Sequence, residues 1–106
     1  MSDADPADLE RARILGETGQ IAWSELQRWF AAGMAIYVSP DLDLVETAFQ
    51  LSSDNTTHFS DWMAAGRIDK VSDDRALAWF EAEAIVWAVV VKPWVLVQPI
   101  VPGAEH

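Results

Sequence analysis

The segment WFAAG at Trp29–Gly33 recurs 33 residues further along the chain as WMAAG at Trp62–Gly66. The same spacing separates the residues that follow each segment, which are Val38, Ser39, Asp41 and Leu44 in the first copy and Val71, Ser72, Asp74 and Leu77 in the second. Glycine commonly ends a helix because it adopts the left-handed backbone at little cost, and serine commonly begins one. The repeat therefore predicts two related helix–strand–helix units packed about a pseudo-twofold axis.

Three short segments have the composition of β-strands. Met34–Val38 is apolar and rich in strand-forming residues, and Trp94–Gln98 follows a proline that cannot continue a helix. Arg67–Val71 is more polar, and its Lys and Asp suit an edge strand because charges discourage pairing with another chain. We therefore expect a sheet of three strands.

Helix-start signals account for five helices, at Asp5-Pro6, Ser24 with Gln27 in capping-box spacing, Ser39-Pro40, Thr56 and Ser72. The end of the last helix is ambiguous. Helical spacing of Leu77, Phe80, Ala84, Trp87 and Val91 favours a helix to about Val89. The β-branched run Val89–Val91 would equally suit a strand.

These segments predict a single α+β domain over residues 1–106, with a small three-stranded sheet packed by about five helices. The fold would be built on the duplicated helix–strand–helix unit. The ordered core is expected over about residues 5–98, and residues 99–106 are expected to form a loose tail.

The charge balance narrows the classes of partner. Seven Lys and Arg oppose 17 Asp and Glu, so the net charge is −10. Nucleic acids and anionic membranes are disfavoured because the chain would repel their phosphates, whereas basic proteins and cations would be attracted. Acidic charge also keeps an apolar domain in solution.

The chain has no cysteine, which excludes disulfides, thiolate zinc sites and thiol catalysis. The start Met1–Pro6 is polar and acidic, unlike a secretory signal, so we expect a cytoplasmic protein. The apolar stretch Ala84–Val101 contains Lys92, two prolines and Gln98, and it falls short of the roughly 20 apolar residues that a membrane span needs.

The sequence carries no nucleophile elbow, phosphate-binding glycine loop, zinc spacing or nucleotide fingerprint. His58 and Asp61 could share a helix face, but two ligands do not make a metal site. The paired acids Asp41/Asp43 and Asp73/Asp74 suit the first turns of helices, where the dipole favours negative charge. We therefore predict no catalytic residue, cofactor or metal.

Several segments resemble a family of short, uncharacterised bacterial proteins (domain of unknown function 2288). The resemblance covers about residues 9–98, and the closing run Pro93–Gln98 is its most specific part; the other segments are Gly16–Thr18, Ile21–Leu26, Leu42–Val45 and Val89–Lys92. The family implies a free-standing bacterial domain and carries no established activity or cofactor.

Two hypotheses of function follow, with an enzyme the less favoured. The first is a non-enzymatic binding or assembly module, either a homodimer or a complex with another protein, whose surface includes Trp87, Trp94 and Val95. The alternative is binding of a small ligand or cation, or catalysis, in a cleft between the two repeated units. That cleft would use the acids Asp41, Asp74 and Glu81. A weaker third idea is an acidic mimic of DNA that occupies a basic protein.

Overall fold

The computed structural model of the chain describes residues 6–52 and 56–100. These residues form five α-helices and five β-strands. The helices are α1 (Pro6–Glu17), α2 (Gln27–Ala31), α3 (Leu44–Ser52), α4 (Thr56–Ala64) and α5 (Asp73–Glu81). The strands are β1 (Gly19–Ala22), β2 (Ala35–Val38), β3 (Ile68–Lys70), β4 (Ile85–Val91) and β5 (Trp94–Pro99), and a 3₁₀ helix covers Trp23–Leu26.

The strands form one mixed sheet in the order β1-β4-β5-β2-β3. β4 and β5 make the central hairpin, with Trp87 opposite Gln98 and Val89 opposite Leu96. β5 and β2 are parallel, and the outer pairs β1–β4 and β2–β3 are antiparallel. The two edges of the sheet are therefore β1 and β3.

Helices cover both faces of the sheet. Side chains alternate between the two faces along each strand, so each face contributes to its own cluster of buried residues. One face packs against α1, α3 and α4 around Ile14, Leu44 and Leu96. The other face packs around Trp23, which is fully buried and donates its indole N–H to the Ala76 carbonyl at 3.1 Å. β5 and β2 are thus buried on both sides, as their apolar sequences require, whereas β4 keeps Ile85 and Val90 exposed.

Three helices end in the same way, each with a tryptophan at the start of its last turn. The N–H groups of Met34, Arg67 and Ala84 donate to the carbonyls of Trp29, Trp62 and Trp79, each at 2.9 Å. This is the Schellman motif, in which the residue after the helix takes the left-handed backbone. Those residues are Gly33 (φ +74°), Gly66 (φ +75°) and Glu83 (φ +50°).

The predicted duplication is wrong as an architecture, although the two glycines share their backbone conformation. β2, after Gly33, lies inside the sheet, whereas β3, after Gly66, is an edge strand. The same ending recurs at Glu83, outside the sequence repeat. What repeats is a local device for ending a helix ahead of a strand.

The predicted three-stranded sheet is also wrong, because the sheet has five strands. The three predicted strands are present as β2, β3 and β5, and no end is shifted by more than one residue. The two strands not predicted are β1 and β4, and β4 occupies residues 85–91 in place of the end of the expected helix. The α+β class and the five helices are confirmed.

The helix starts predicted from capping residues are confirmed only in part. Ser72 caps α5, its side chain accepting from the Arg75 N–H at 3.2 Å. Ser24 caps nothing, because it lies inside the 3₁₀ helix. The helix expected at Ser39-Pro40 begins later, at Leu44, and its cap is Asp43, which accepts from the Glu46 N–H at 3.1 Å.

Candidate functional site: an apolar groove beside helix α1

A cavity of about 470 Å³ lies where α1 crosses the sheet. We call it the α1 groove. Its apolar lining is Ala12, Leu15, Leu44, Val45 and Trp87, and its polar lining is Arg11, Thr18, Asp43, Glu46 and Gln98. Leu15 is 62% exposed at its rim. The volume is in the range of known ligand and side-chain pockets.

An ion pair between α1 and α3 forms one wall of the groove. Nε and Nη2 of Arg11 donate to the two carboxylate oxygens of Glu46, at 2.8 and 3.2 Å. The Arg11 guanidinium also lies 4.2 Å from the centre of the Phe49 ring, and Gln50 donates to Glu46 at 3.0 Å. The hydrogen bond from Arg11 lowers the pKa of Glu46, which holds the carboxylate in its charged form.

Gln98 forms the floor of the groove beside Trp87. It is 2% exposed, and its side-chain amide donates to the carbonyls of Ser39 at 2.9 Å and Leu42 at 2.7 Å. These bonds fix the loop between β2 and α3. Asp43, at the end of that loop, is thereby held at the start of α3, where it caps the helix.

The polar groups of the lining are engaged within the protein. Thr18 donates to the Ile14 carbonyl at 2.7 Å, and Arg11, Asp43, Glu46 and Gln98 have the partners given above. Their bonds stabilise the walls of the groove. What the groove presents to another molecule is therefore apolar surface with carboxylates at its rim.

The apolar surface continues from the groove onto one end of the sheet. Ile85 lies two residues before Trp87 on the same face of β4 and is 49% exposed. Ala22 is its neighbour on β1, and Ile100, just after β5, is also exposed. We call Ala22, Ile85 and Ile100 the sheet-end patch. Ile85 and Ile100 are exposed, and Ala22 is partly buried.

The residues predicted for an interaction surface do not lie together. Trp87 lines the α1 groove, and Trp94 lines a smaller apolar cavity of about 210 Å³ beside Met63 and Ile68. Val95 is 1% exposed and points to the Trp23 face of the sheet, so it is not accessible to a partner. Of the three, only the two tryptophans border open space.

The predicted ligand acids are exposed and lie apart from the α1 groove. Asp41 accepts from the Ser39 hydroxyl, which lowers its pKa, and lies 3.5 Å from Arg67. Asp74 is in the first turn of α5 and Glu81 is its last residue. Neither the α1 groove nor the cavity beside Trp94 is lined by any of the three.

Within residues 6–52 and 56–100, no three His, Asp or Glu residues are grouped so as to hold a metal ion. The side chain of His58, considered above as a ligand, lies outside the described residues. In the same part of the chain, no helix is both long and apolar enough to cross a membrane.

Fold and site together define a small α+β domain whose five-stranded sheet carries helices on both faces and an apolar groove under the first helix. The chain belongs to the family described as protein of unknown function DUF2288, whose model matches residues 10–99. It is similar to PA1075 from Pseudomonas aeruginosa, known from an NMR solution structure. The two share 37% identity over 100% of this chain and 98% of that one, with a TM-score of 0.80. A search of curated proteins finds no significant match.

Most residues of the α1 groove were not identified from the sequence. Arg11, Glu46 and Gln98 are 35 to 59 residues from their partners along the chain, so no local motif connects them. One usable signal was Gln98 itself, the single polar residue in the otherwise apolar run Trp94–Pro99. A polar side chain in a buried strand needs a partner.

Proposed function

We propose that this chain is a non-enzymatic protein-association module whose α1 groove and sheet-end patch bind an apolar, positively charged segment of another protein. The observation that carries the proposal is the state of the groove lining. Its polar side chains are already bonded within the protein, while Leu15 and Ile85 remain largely exposed. Apolar burial is therefore the main interaction left for a partner.

The excess of carboxylates at the rim of the α1 groove favours a positively charged partner. Asp43 and Glu46 contribute two carboxylates against the one guanidinium of Arg11, and Asp8 lies 3.7 Å from that guanidinium. The whole chain carries −10. A second copy would bring the same excess of negative charge to the interface, whereas a basic segment would reduce it.

The proposal is tested by photo-crosslinking from the groove. A photoreactive phenylalanine analogue replaces Leu15, and a second variant carries it at Leu77, which is similarly exposed (57%) but lies on α5. Both are expressed in a bacterial host, irradiated and analysed by mass spectrometry. We expect the Leu15 variant to crosslink a protein that the Leu77 variant does not, at a segment rich in Lys or Arg.

The captured protein is then purified and its affinity measured by calorimetry. Leu15→Lys should weaken binding at least tenfold, because it removes apolar contact and places a cation against a basic partner. Leu77→Lys, the matched control, should leave the affinity unchanged. Equal binding by the two variants, crosslinks only between copies of this chain, or the same products from both positions would each overturn the proposal.

A further inference from the structure

The two edge strands of the sheet differ in how many of their outward backbone groups are already hydrogen-bonded within the protein. At β3, the Ser39 N–H donates to the Arg67 carbonyl (2.7 Å) and the Val71 N–H donates to the Ala35 carbonyl (3.1 Å). Because backbone bonding alternates along an antiparallel pair, every second residue of this segment bonds to β2. The backbone N–H and C=O groups of Ile68 and Lys70 therefore point away from β2, whereas the Ile68 side chain lies in the core. The Lys70 N–H is occupied by the Asp69 side chain at 2.8 Å, so this short, charged edge is partly closed.

On the outer side of β1, no backbone hydrogen bond to another segment is formed within residues 6–52 and 56–100. The Trp23 N–H donates to the Ala84 carbonyl at 2.9 Å, and the register places Ile21 opposite Val86 and Gly19 opposite Ala88. By alternation these residues bond to β4, so both backbone groups of Gln20 and the N–H of Ala22 point away from the sheet. The Ala22 carbonyl belongs to the 3₁₀ helix, of which Ala22 is the N-cap residue. β1 carries no charged residue, so it lacks the protection found at β3.

From these observations we infer that β1 receives an extended segment of the partner as a sixth strand. This inference rests on the proposed function. Bonds to Gln20 and Ala22 would supply the backbone contacts. Alternate side chains of the added strand would then lie on the face that carries Ile85 and Trp87, which is the sheet-end patch and the start of the α1 groove.

Charge selects a basic segment over a second copy of this chain. Glu17 precedes β1 and Glu25 follows it, and both are exposed. Glu17 is paired with Arg13 at 3.2 Å, so Glu25 is the stronger of the two negative charges. An antiparallel pair of β1 strands would bring the Glu17 and Glu25 regions of the two copies towards one another, which like charges disfavour. Lysines at the ends of an added strand would lie near opposite charges.

The test uses a proline at Ala22. Its backbone angles, φ −67° and ψ 133°, already match those of proline. Ala22→Pro therefore removes one outward N–H with no change in backbone conformation, while Ala22→Ser keeps the N–H and serves as the matched control. Thermal unfolding checks that both variants remain folded.

The probe is a peptide of about seven to nine residues, strand length, in which Lys and Val alternate, titrated into the ¹⁵N-labelled protein. We expect saturable shifts of the Gln20 and Ala22 amides, and at least tenfold weaker binding to Ala22→Pro than to Ala22→Ser. Equal affinity of the two variants, or no saturable binding to the wild type, would overturn strand addition. The proposed function would then stand or fall separately, on the Leu15 crosslinks.

Discussion

Arg11 of α1 and Glu46 of α3 meet through two hydrogen bonds, 2.8 and 3.2 Å long, across 35 residues of sequence. This pair joins the first helix to the rest of the domain and forms one wall of the α1 groove. Both side chains are more than a third exposed, so solvent screens their attraction. Their two-point geometry fixes the position of α1 more than it adds to the stability of the fold.

A double-mutant cycle measures this coupling. Arg11→Met and Glu46→Gln, alone and together, should give an interaction free energy of about 0.5–1 kcal/mol in urea unfolding. The cycle Arg13→Met with Glu17→Gln, an exposed pair within α1, is the control and should give less. A value for Arg11–Glu46 no larger than the control would contradict its role as a link between helices.

The same pair predicts a dependence on pH. Because the folded state lowers the pKa of Glu46 below its ordinary value of 4.5, it binds a proton less readily than the unfolded chain does. The stabilisation is therefore fully present above the unfolded pKa and lost as the pH falls through the folded one. The difference in free energy of unfolding between wild type and Glu46→Gln should be constant from pH 7 to about 5 and shrink below that. A difference that grows towards acid pH would refute this assignment.

Gln98 is expected to be the more important polar residue for stability. Gln98→Leu leaves the carbonyls of Ser39 and Leu42 without their buried donor, so we expect a loss of about 2 kcal/mol in the free energy of unfolding. The exposed Gln20→Leu should change stability by less than about 0.5 kcal/mol. Loss of the amide signals of the loop between β2 and α3 would accompany the first change. Equal effects of the two substitutions would show that Gln98 does not hold the loop.

The left-handed residues after α2, α4 and α5 allow a paired comparison. Gly33→Ala and Gly66→Ala should each cost about 1 kcal/mol, because alanine resists φ of +74° and +75°. Glu83→Gly should stabilise by about 0.5–1 kcal/mol for the same reason. The control Gly16→Ala, inside α1 with open space around it, should gain stability. Thermal or urea unfolding measures these changes in stability. A loss of stability in Gly16→Ala would contradict the positive φ as the cause of the losses at Gly33 and Gly66.

Hydrogen exchange tests the alternation along β1 in the free protein. The amides of Ile21 and Trp23 should exchange slowly because they bond to β4, and those of Gln20 and Ala22 should exchange quickly. On β3, the outward Lys70 amide should be slower than Ala22, because the Asp69 carboxylate holds it. Asp69→Ala should remove that difference, and uniform protection along β1 would contradict the open edge.

Prediction from the sequence succeeded where a signal was local. The ends of α2 and α4 at Gly33 and Gly66, and the start of α5 at Ser72, each depend on a few neighbouring residues. The helix was favoured to about Val89 because Leu77, Phe80, Ala84, Trp87 and Val91 keep helical spacing. An apolar run such as Ile85–Val91, which lacks strict alternation, fits either a helix or a strand. β1, at four residues, was too short to show a pattern.

The candidate site was largely beyond such reasoning. Trp87, Trp94 and Val95 were named because the tryptophan and valine around them exceed what the core of a 106-residue chain was expected to bury. The groove that Trp87 lines is assembled from α1, α3 and the central hairpin. In a strand, adjacent side chains point to opposite faces, and only the sheet order shows which of them is covered.

The difference between the two edge strands also affects the size of the assembly that the protein could form. Endless stacking of copies, as in a fibril, requires two receptive borders on every molecule. Here the Asp69 side chain bonds to the Lys70 N–H and so occupies one outward donor of β3, which disfavours strand addition at that border. Addition of a partner strand at β1, as proposed, would therefore favour a finite complex over a continuous stack.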